Sequence, residues 1–76
     1  MPKLVPIRCR KLIKIAEFLG FEKRDAEGSH IFFRHSDGRT TVIPSKRKEV
    51  SKGLLRKILN DLRLSVADYE KLRRKF

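Results

Sequence analysis

The sequence contains little cysteine, tyrosine or tryptophan. Its 76 residues include one cysteine, one tyrosine and no tryptophan. A single Cys9 excludes a disulfide scaffold and a thiolate zinc site, because each needs several cysteines, and it is compatible with a reducing compartment. A chain of this length buries only about 60% of the surface that its unfolded form exposes. We therefore expect residues 1–76 to form a single domain around one small apolar core.

Long apolar runs are also missing. Charged residues interrupt every window of the opening fifteen residues, so the sequence predicts neither a signal peptide nor a spanning helix. Acidic residues are scarce, with 9 Asp and Glu against 20 Lys and Arg, and the formal net charge is +11. The lack of apolar runs predicts a cytoplasmic protein. The excess of positive charge predicts a polyanionic partner, chiefly nucleic acid, with an anionic membrane or an acidic protein as alternatives.

Apolar residues recur at helical spacing in two segments, 8–19 and 54–62, and each is predicted to be an amphipathic helix. Gly20 is a typical helix stop. Ser65, with an acidic residue three positions later, has the capping pattern that begins a third, short helix.

Between the two amphipathic helices lie three β-rich runs, at 21–25, 29–35 and 39–44. The first loses its apolar character quickly and is expected to be an exposed strand, and a tight turn at 36–38 joins the other two into a hairpin. The order predicts an α+β fold of the double-stranded-RNA-binding type: α-β-β-β-α, a three-stranded antiparallel sheet with two helices on one face and a short C-terminal helix.

Two histidines are candidates for chemistry. His30 follows Gly28 and Ser29 at the start of the middle strand, and His35 lies at the hairpin turn. The residues alone favour an ordinary structural role for each, and no spacing supports a metal or another cofactor. A lone imidazole beside cations can still cleave RNA, because RNA brings its own nucleophile, the 2′-hydroxyl. Ser29 would then orient the imidazole or bind a phosphate oxygen, although a turn role is favoured for it.

A basic loop precedes the second predicted helix. Lys46, Arg47, Lys48 and Lys52 are candidates for holding RNA phosphates, although such runs are often solvated faces. Gly53 either lets an RNA backbone approach the start of the helix or is a permissive first residue, and these two interpretations stay open.

The order of several short motifs resembles one known family. These are LGF at the end of the first helix, Gly28-Ser29-His30, the HSDGR turn and Lys52-Gly53. Over roughly residues 8–62 the chain resembles the HicA toxins of type II toxin-antitoxin systems. The resemblance implies a metal-independent endoribonuclease that cleaves mRNA and stops translation until a HicB-like antitoxin binds it, with no cofactor and no membrane partner, and a monomer when free of antitoxin.

The family's essential histidine falls on His30, with Gly28 and Ser29 as supports of the site. Many relatives have a further histidine after the third strand, where Ser45 and Lys46 stand here, and a threonine where Leu54 stands. The acid that protonates the leaving group is therefore unassigned. A non-catalytic RNA-binding module of the same fold is the alternative, and DNA binding is less favoured because no helix-turn-helix is visible.

Overall fold

A computed structural model describes residues 4–46 and 48–76. Within them the chain forms eight elements, which in order are β1 (Ile7–Arg8), α1 (Cys9–Phe18), β2 (Glu22–Glu27), β3 (His30–Arg34), β4 (Thr40–Pro44), β5 (Glu49–Val50), α2 (Lys52–Leu62) and α3 (Val66–Lys75). The predicted α-β-β-β-α order and the appended third helix are confirmed. None of the helices in the described residues is long and apolar enough to cross a membrane.

The main sheet has the order β2-β3-β4 and is antiparallel throughout. Ile31 pairs with Ile43, and Phe33 pairs with Thr41, so these four side chains share one face. Both α1 and α2 contact β4, and Phe33 and Ile43 are buried in the same cluster as the apolar faces of these helices. The opposite face includes the exposed side chains of His30, Phe32 and Arg34, and on it Val42 is half-buried and Pro44 buried.

The core is built from the apolar stripes that the sequence pattern marks. The stripes on α1 and α2 contribute Leu12, Ile15, Ala16, Leu55, Ile58, Leu59 and Leu62. Thr41 is the buried polar exception among the described residues, and its hydroxyl donates a hydrogen bond to Oδ2 of Asp61 at 3.2 Å. This bond ties β4 to α2 and satisfies a polar group that would be costly to bury unpaired.

The strand β2 lies at the edge of the sheet, and all six of its residues are exposed. The sequence predicts a shorter exposed strand at 21–25, and pairing with β3 extends it to Glu27. The register shifts between Lys23 and Asp25, where a bulge at Arg24 interrupts the ladder.

A second, two-stranded sheet joins β1 to β5 and is not predicted from the sequence. Ile7 pairs with Val50 and Arg8 with Glu49, and the Cys9 N–H donates to the Lys48 carbonyl at 3.3 Å. Two-residue strands show no periodicity by which they could be recognised. The pairing brings the start of α1 beside the basic segment that precedes α2.

The helix α3 packs on the core. The Ser65 hydroxyl accepts a hydrogen bond from the Asp68 N–H at 3.1 Å, which confirms the predicted cap. Tyr69 is fully buried, and its hydroxyl donates to the Val5 carbonyl at 3.1 Å. The third helix is therefore anchored to the N-terminal segment of the chain.

Because the phenol of Tyr69 is buried, we expect the protein to lose stability at alkaline pH. Burial raises the pKa of Tyr69 to about 12, against about 10 for a phenol in an unfolded chain. Because the folded pKa is the higher one, the stabilising contribution is complete below about pH 10 and is lost as the pH rises toward about 12. We expect the free energy of unfolding to fall by about 1.4 kcal/mol per pH unit in this window from this group.

Urea denaturation between about pH 9 and about pH 12 measures this loss, and Tyr69→Phe is the control, because its ring stays buried but does not titrate. The difference in stability between the parent protein and the variant should shrink with rising pH. A difference that stays constant over this range would contradict the prediction.

Candidate active site and cationic groove

A tight two-residue turn places His30. Gly28 and Ser29 join β2 to β3, and Gly28 has φ +60°, as a glycine in the first central position of a type II′ turn does. A Cβ on Gly28 would meet nothing within 4 Å, so the backbone conformation, not packing, requires glycine here. The turn makes His30 the first residue of β3, on the open face of the sheet.

The imidazole of His30 borders a cavity of about 440 Å³ between the end of the sheet and α2, which we call the His30 cavity. The residues lining it are Ser29, His30, Val42, Pro44, Leu54 and Lys57. One wall is fixed because the Ser45 N–H donates to the Ser29 carbonyl at 2.6 Å. The side chain of His30 is exposed and forms no hydrogen bond or ion pair within residues 4–46 and 48–76. Its nitrogens are therefore available to a ligand.

Lys57 is the other ionisable side chain among those lining the His30 cavity. The sequence analysis does not predict it as a site residue. It lies on α2 one turn after Leu54 and forms no ion pair with the described residues. Helical spacing puts these two side chains on one face of α2. Which face meets the end of the sheet depends on packing, so the spacing alone does not identify Lys57.

The strand register adds an acidic neighbour. Glu27 is paired directly with His30 across β2 and β3, and side chains opposed in this way point to the same face with Cβ atoms about 5 Å apart. The charges around the imidazole thus include a carboxylate on the β2 side and an ammonium on the α2 side.

The second histidine, His35, makes contacts that stabilise the fold. Nδ1 of His35 accepts a hydrogen bond from the Asp37 N–H at 3.1 Å, and its ring packs edge-on to Phe21 with centroids 5.2 Å apart. A Cβ on Gly20 would lie 3.0 Å from Nε2 of His35, and Gly20 also has φ +96°. These contacts support the structural role that the sequence favours for His35.

The hairpin turn beside His35 is held by Arg39. Its Nε donates to Oδ2 of Asp37 at 2.7 Å and its Nη1 to the Leu62 carbonyl at 2.6 Å. The backbone N–H of Arg39, and then the charge of its guanidinium, hold the pKa of the Asp37 carboxyl below its usual range. The HSDGR turn therefore clamps the end of α2 to the sheet, and α2 in turn carries Lys57.

The predicted phosphate-binding residues do not gather at His30. Lys46, Lys48 and Lys52 are exposed, and none of them lines the His30 cavity, while Arg47 lies outside the described residues. Gly53 is the second residue of α2, where a Cβ would meet nothing within 4 Å, so packing does not require glycine and both interpretations of it stand.

Lys48 instead lines a second cavity, of about 560 Å³, beside α1. The residues lining it are Arg8, Cys9, Arg10, Ile13, Lys14, Glu17, Ser45 and Lys48. Four of these side chains are cationic and one is acidic. We call this cavity the α1 groove.

The described part of the chain contains no group of three or more His, Cys, Asp and Glu side chains that could hold a metal ion.

The model of one protein family, the HicA toxins of bacterial toxin-antitoxin systems, matches residues 9–64. The match runs from α1 through α2 and includes the turn before His30. No curated protein matches the sequence significantly.

Proposed function

The chain belongs to the HicA toxin family, and we propose that it is an endoribonuclease that cleaves mRNA with His30 as the general acid or base. The observation that supports this proposal best is the setting of His30. An exposed imidazole that has no partner among the described residues borders a cavity that also holds an ammonium group. These are the two kinds of group that cleavage of RNA by its own 2′-hydroxyl needs.

The reaction transfers one phosphoryl group within the RNA. His30 in its neutral form takes the proton of the 2′-hydroxyl, and the oxygen attacks the adjacent phosphorus. The bond from phosphorus to the 5′-oxygen breaks, that oxygen gains a proton, and the products are a 2′,3′-cyclic phosphate and a 5′-hydroxyl. Lys57 stabilises the negative charge that develops on the phosphorane oxygens or protonates the leaving oxygen, and Ser29 supports the site.

A non-catalytic RNA-binding module of the same fold is the second candidate. Two features favour it: the His30 cavity contains one imidazole, and Leu54 presents an apolar wall where many relatives have a hydroxyl. Binding to RNA would then rest on the net charge of +11 alone.

A HicB-like antitoxin is the partner that the family implies. We propose that it covers the His30 cavity and that the positive surface attracts acidic groups of the antitoxin. RNA and antitoxin would then compete for one surface, and the protein would act as a monomer once released.

Cleavage in the presence of a chelator tests the proposal. We expect the purified protein, free of antitoxin, to cut end-labelled single-stranded RNA in EDTA and to leave 2′,3′-cyclic phosphate and 5′-hydroxyl ends, identified by their mobility and by phosphatase and kinase treatment. RNA that stays intact under an excess of protein, yet is bound, would favour the binding module. Products with 3′-hydroxyl ends would contradict attack by the 2′-hydroxyl.

A further inference from the structure

The α1 groove concentrates positive charge that the protein does not neutralise. Its four cationic side chains, Arg8, Arg10, Lys14 and Lys48, are exposed, and none forms an ion pair within the described residues. Glu17 is the one acidic side chain that lines the groove. Clustered cations in a concave surface attract a polyanion more strongly than the same charges spread apart.

Backbone hydrogen bonds fix the chain positions from which these cationic side chains extend. The pairing of β1 with β5 and the hydrogen bond from the Cys9 N–H to the Lys48 carbonyl hold Arg8 and Lys48 at the same end of the groove. Arg10 and Lys14 are one turn apart on α1 and therefore lie on one face. Cations held in this way lose less conformational entropy on binding than cations on a loop.

The groove lies beside the His30 cavity. Ser45 lines the groove, while Ser29 and Pro44 line the cavity. The hydrogen bond from the Ser45 N–H to the Ser29 carbonyl, 2.6 Å long, joins the two linings. An RNA strand that extends from His30 past Pro44 and Ser45 would therefore reach the groove.

We propose that the α1 groove binds the phosphodiester backbone of the RNA strand whose scissile phosphate lies at His30. This proposal rests on the proposed function and adds a second part to the substrate site. The position of the groove beside the proposed site of RNA cleavage favours RNA over an acidic peptide as the occupant. The groove makes cleavage depend on the length of the RNA, since a substrate with a single phosphodiester cannot reach it.

The test compares two substrates and two double variants. The substrates are a dinucleotide and a single-stranded RNA of about ten nucleotides, a length within the site sizes of single-strand-binding domains. Arg10→Gln with Lys14→Gln removes two charges from the groove. Lys71→Gln with Arg74→Gln removes two charges from exposed positions on α3 that line neither cavity, and it controls for net charge.

We expect the groove variant to cleave the dinucleotide at the parent rate and to lose about tenfold or more in kcat/KM on the longer RNA. In a His30→Ala background, where RNA stays intact, the slope of log affinity against log salt should fall by about 1.4, since each lost phosphate contact on a single strand contributes about 0.7. The control variant should keep the parent slope and the parent kcat/KM within about twofold.

Equal losses on both substrates, or equal losses in the groove and control variants, would overturn the groove proposal while leaving cleavage by His30 intact. An unchanged salt slope in the groove variant would overturn it as well and would leave an acidic protein as the candidate occupant. If the parent protein cuts neither substrate, the proposed function fails, and the salt slope still decides whether RNA occupies the groove.

Discussion

Replacing His30 with alanine is expected to lower the rate of RNA cleavage by about a hundredfold or more, the range that general acid–base catalysis contributes. In the proposed reaction the imidazole accepts the 2′-hydroxyl proton, and no second imidazole lines the cavity. The fold and the affinity for RNA should be unchanged, because the imidazole of His30 is exposed and forms no hydrogen bond with the described residues. Single-turnover cleavage, thermal melting and fluorescence anisotropy measure the three properties.

His35→Ala is the matched control, because the chain has two histidines with opposite structural settings. It removes the ring that packs on Phe21 and the acceptor for the Asp37 N–H, so we expect a loss of about 1–3 kcal/mol in the free energy of unfolding. Cleavage per folded molecule should remain near the parent value. A His30→Ala protein that still cuts RNA, or a folded His35→Ala protein that does not, would contradict these assignments.

The second large effect is expected at Lys57. Lys57→Gln should lower kcat by about a hundredfold, the effect of removing one group that stabilises transition-state charge. KM should change less, because the ammonium acts mainly on the charge that develops in the transition state. Lys57→Arg should recover part of the activity, because it keeps the positive charge.

A substrate with a better leaving group separates the two roles of Lys57. In an aryl ester of a nucleoside 3′-phosphate the leaving oxygen needs no proton. A defect that disappears with this substrate identifies Lys57 as the acid, whereas a persistent defect identifies it as the group that stabilises the phosphorane. Arg56→Gln removes a charge from the neighbouring position of α2, which does not line the His30 cavity. Equal losses in Arg56→Gln and Lys57→Gln, or an undiminished kcat in the latter, would contradict a catalytic Lys57.

Local patterns were sufficient to predict the main elements of the fold. The apolar spacing of Leu12 and Ile15, the Asp37-Gly38 turn and the Ser65 cap each depend on residues a few positions apart, and all are found in the structure. The turn before His30 is equally local, since Gly28 supplies its positive φ. The position of His30 at the start of the middle strand could therefore be predicted from the residues, whereas its catalytic role is implied by the family resemblance alone.

The surroundings of His30 could not, because they depend on contacts between distant parts of the chain. Lys57 looks like any other cation on the polar side of an amphipathic helix until α2 is placed against the end of the sheet. Lys48 looks like a member of the loop that precedes α2, and only its proximity to Cys9 reveals that it belongs with α1. The sequence shows that this loop is positively charged, but it does not show that Lys48 lines the α1 groove and not the His30 cavity.

The edge strand β2 has a consequence for a toxin that is released from its partner. An unpaired strand edge is a template on which another chain can extend a sheet, and charged side chains and bulges suppress this kind of aggregation. Five of the six residues of β2 are charged, and the bulge at Arg24 breaks the regular spacing of its hydrogen-bonding groups. Two copies of the chain are therefore discouraged from joining edge to edge, so the free toxin can stay dispersed without another protein to cover this edge.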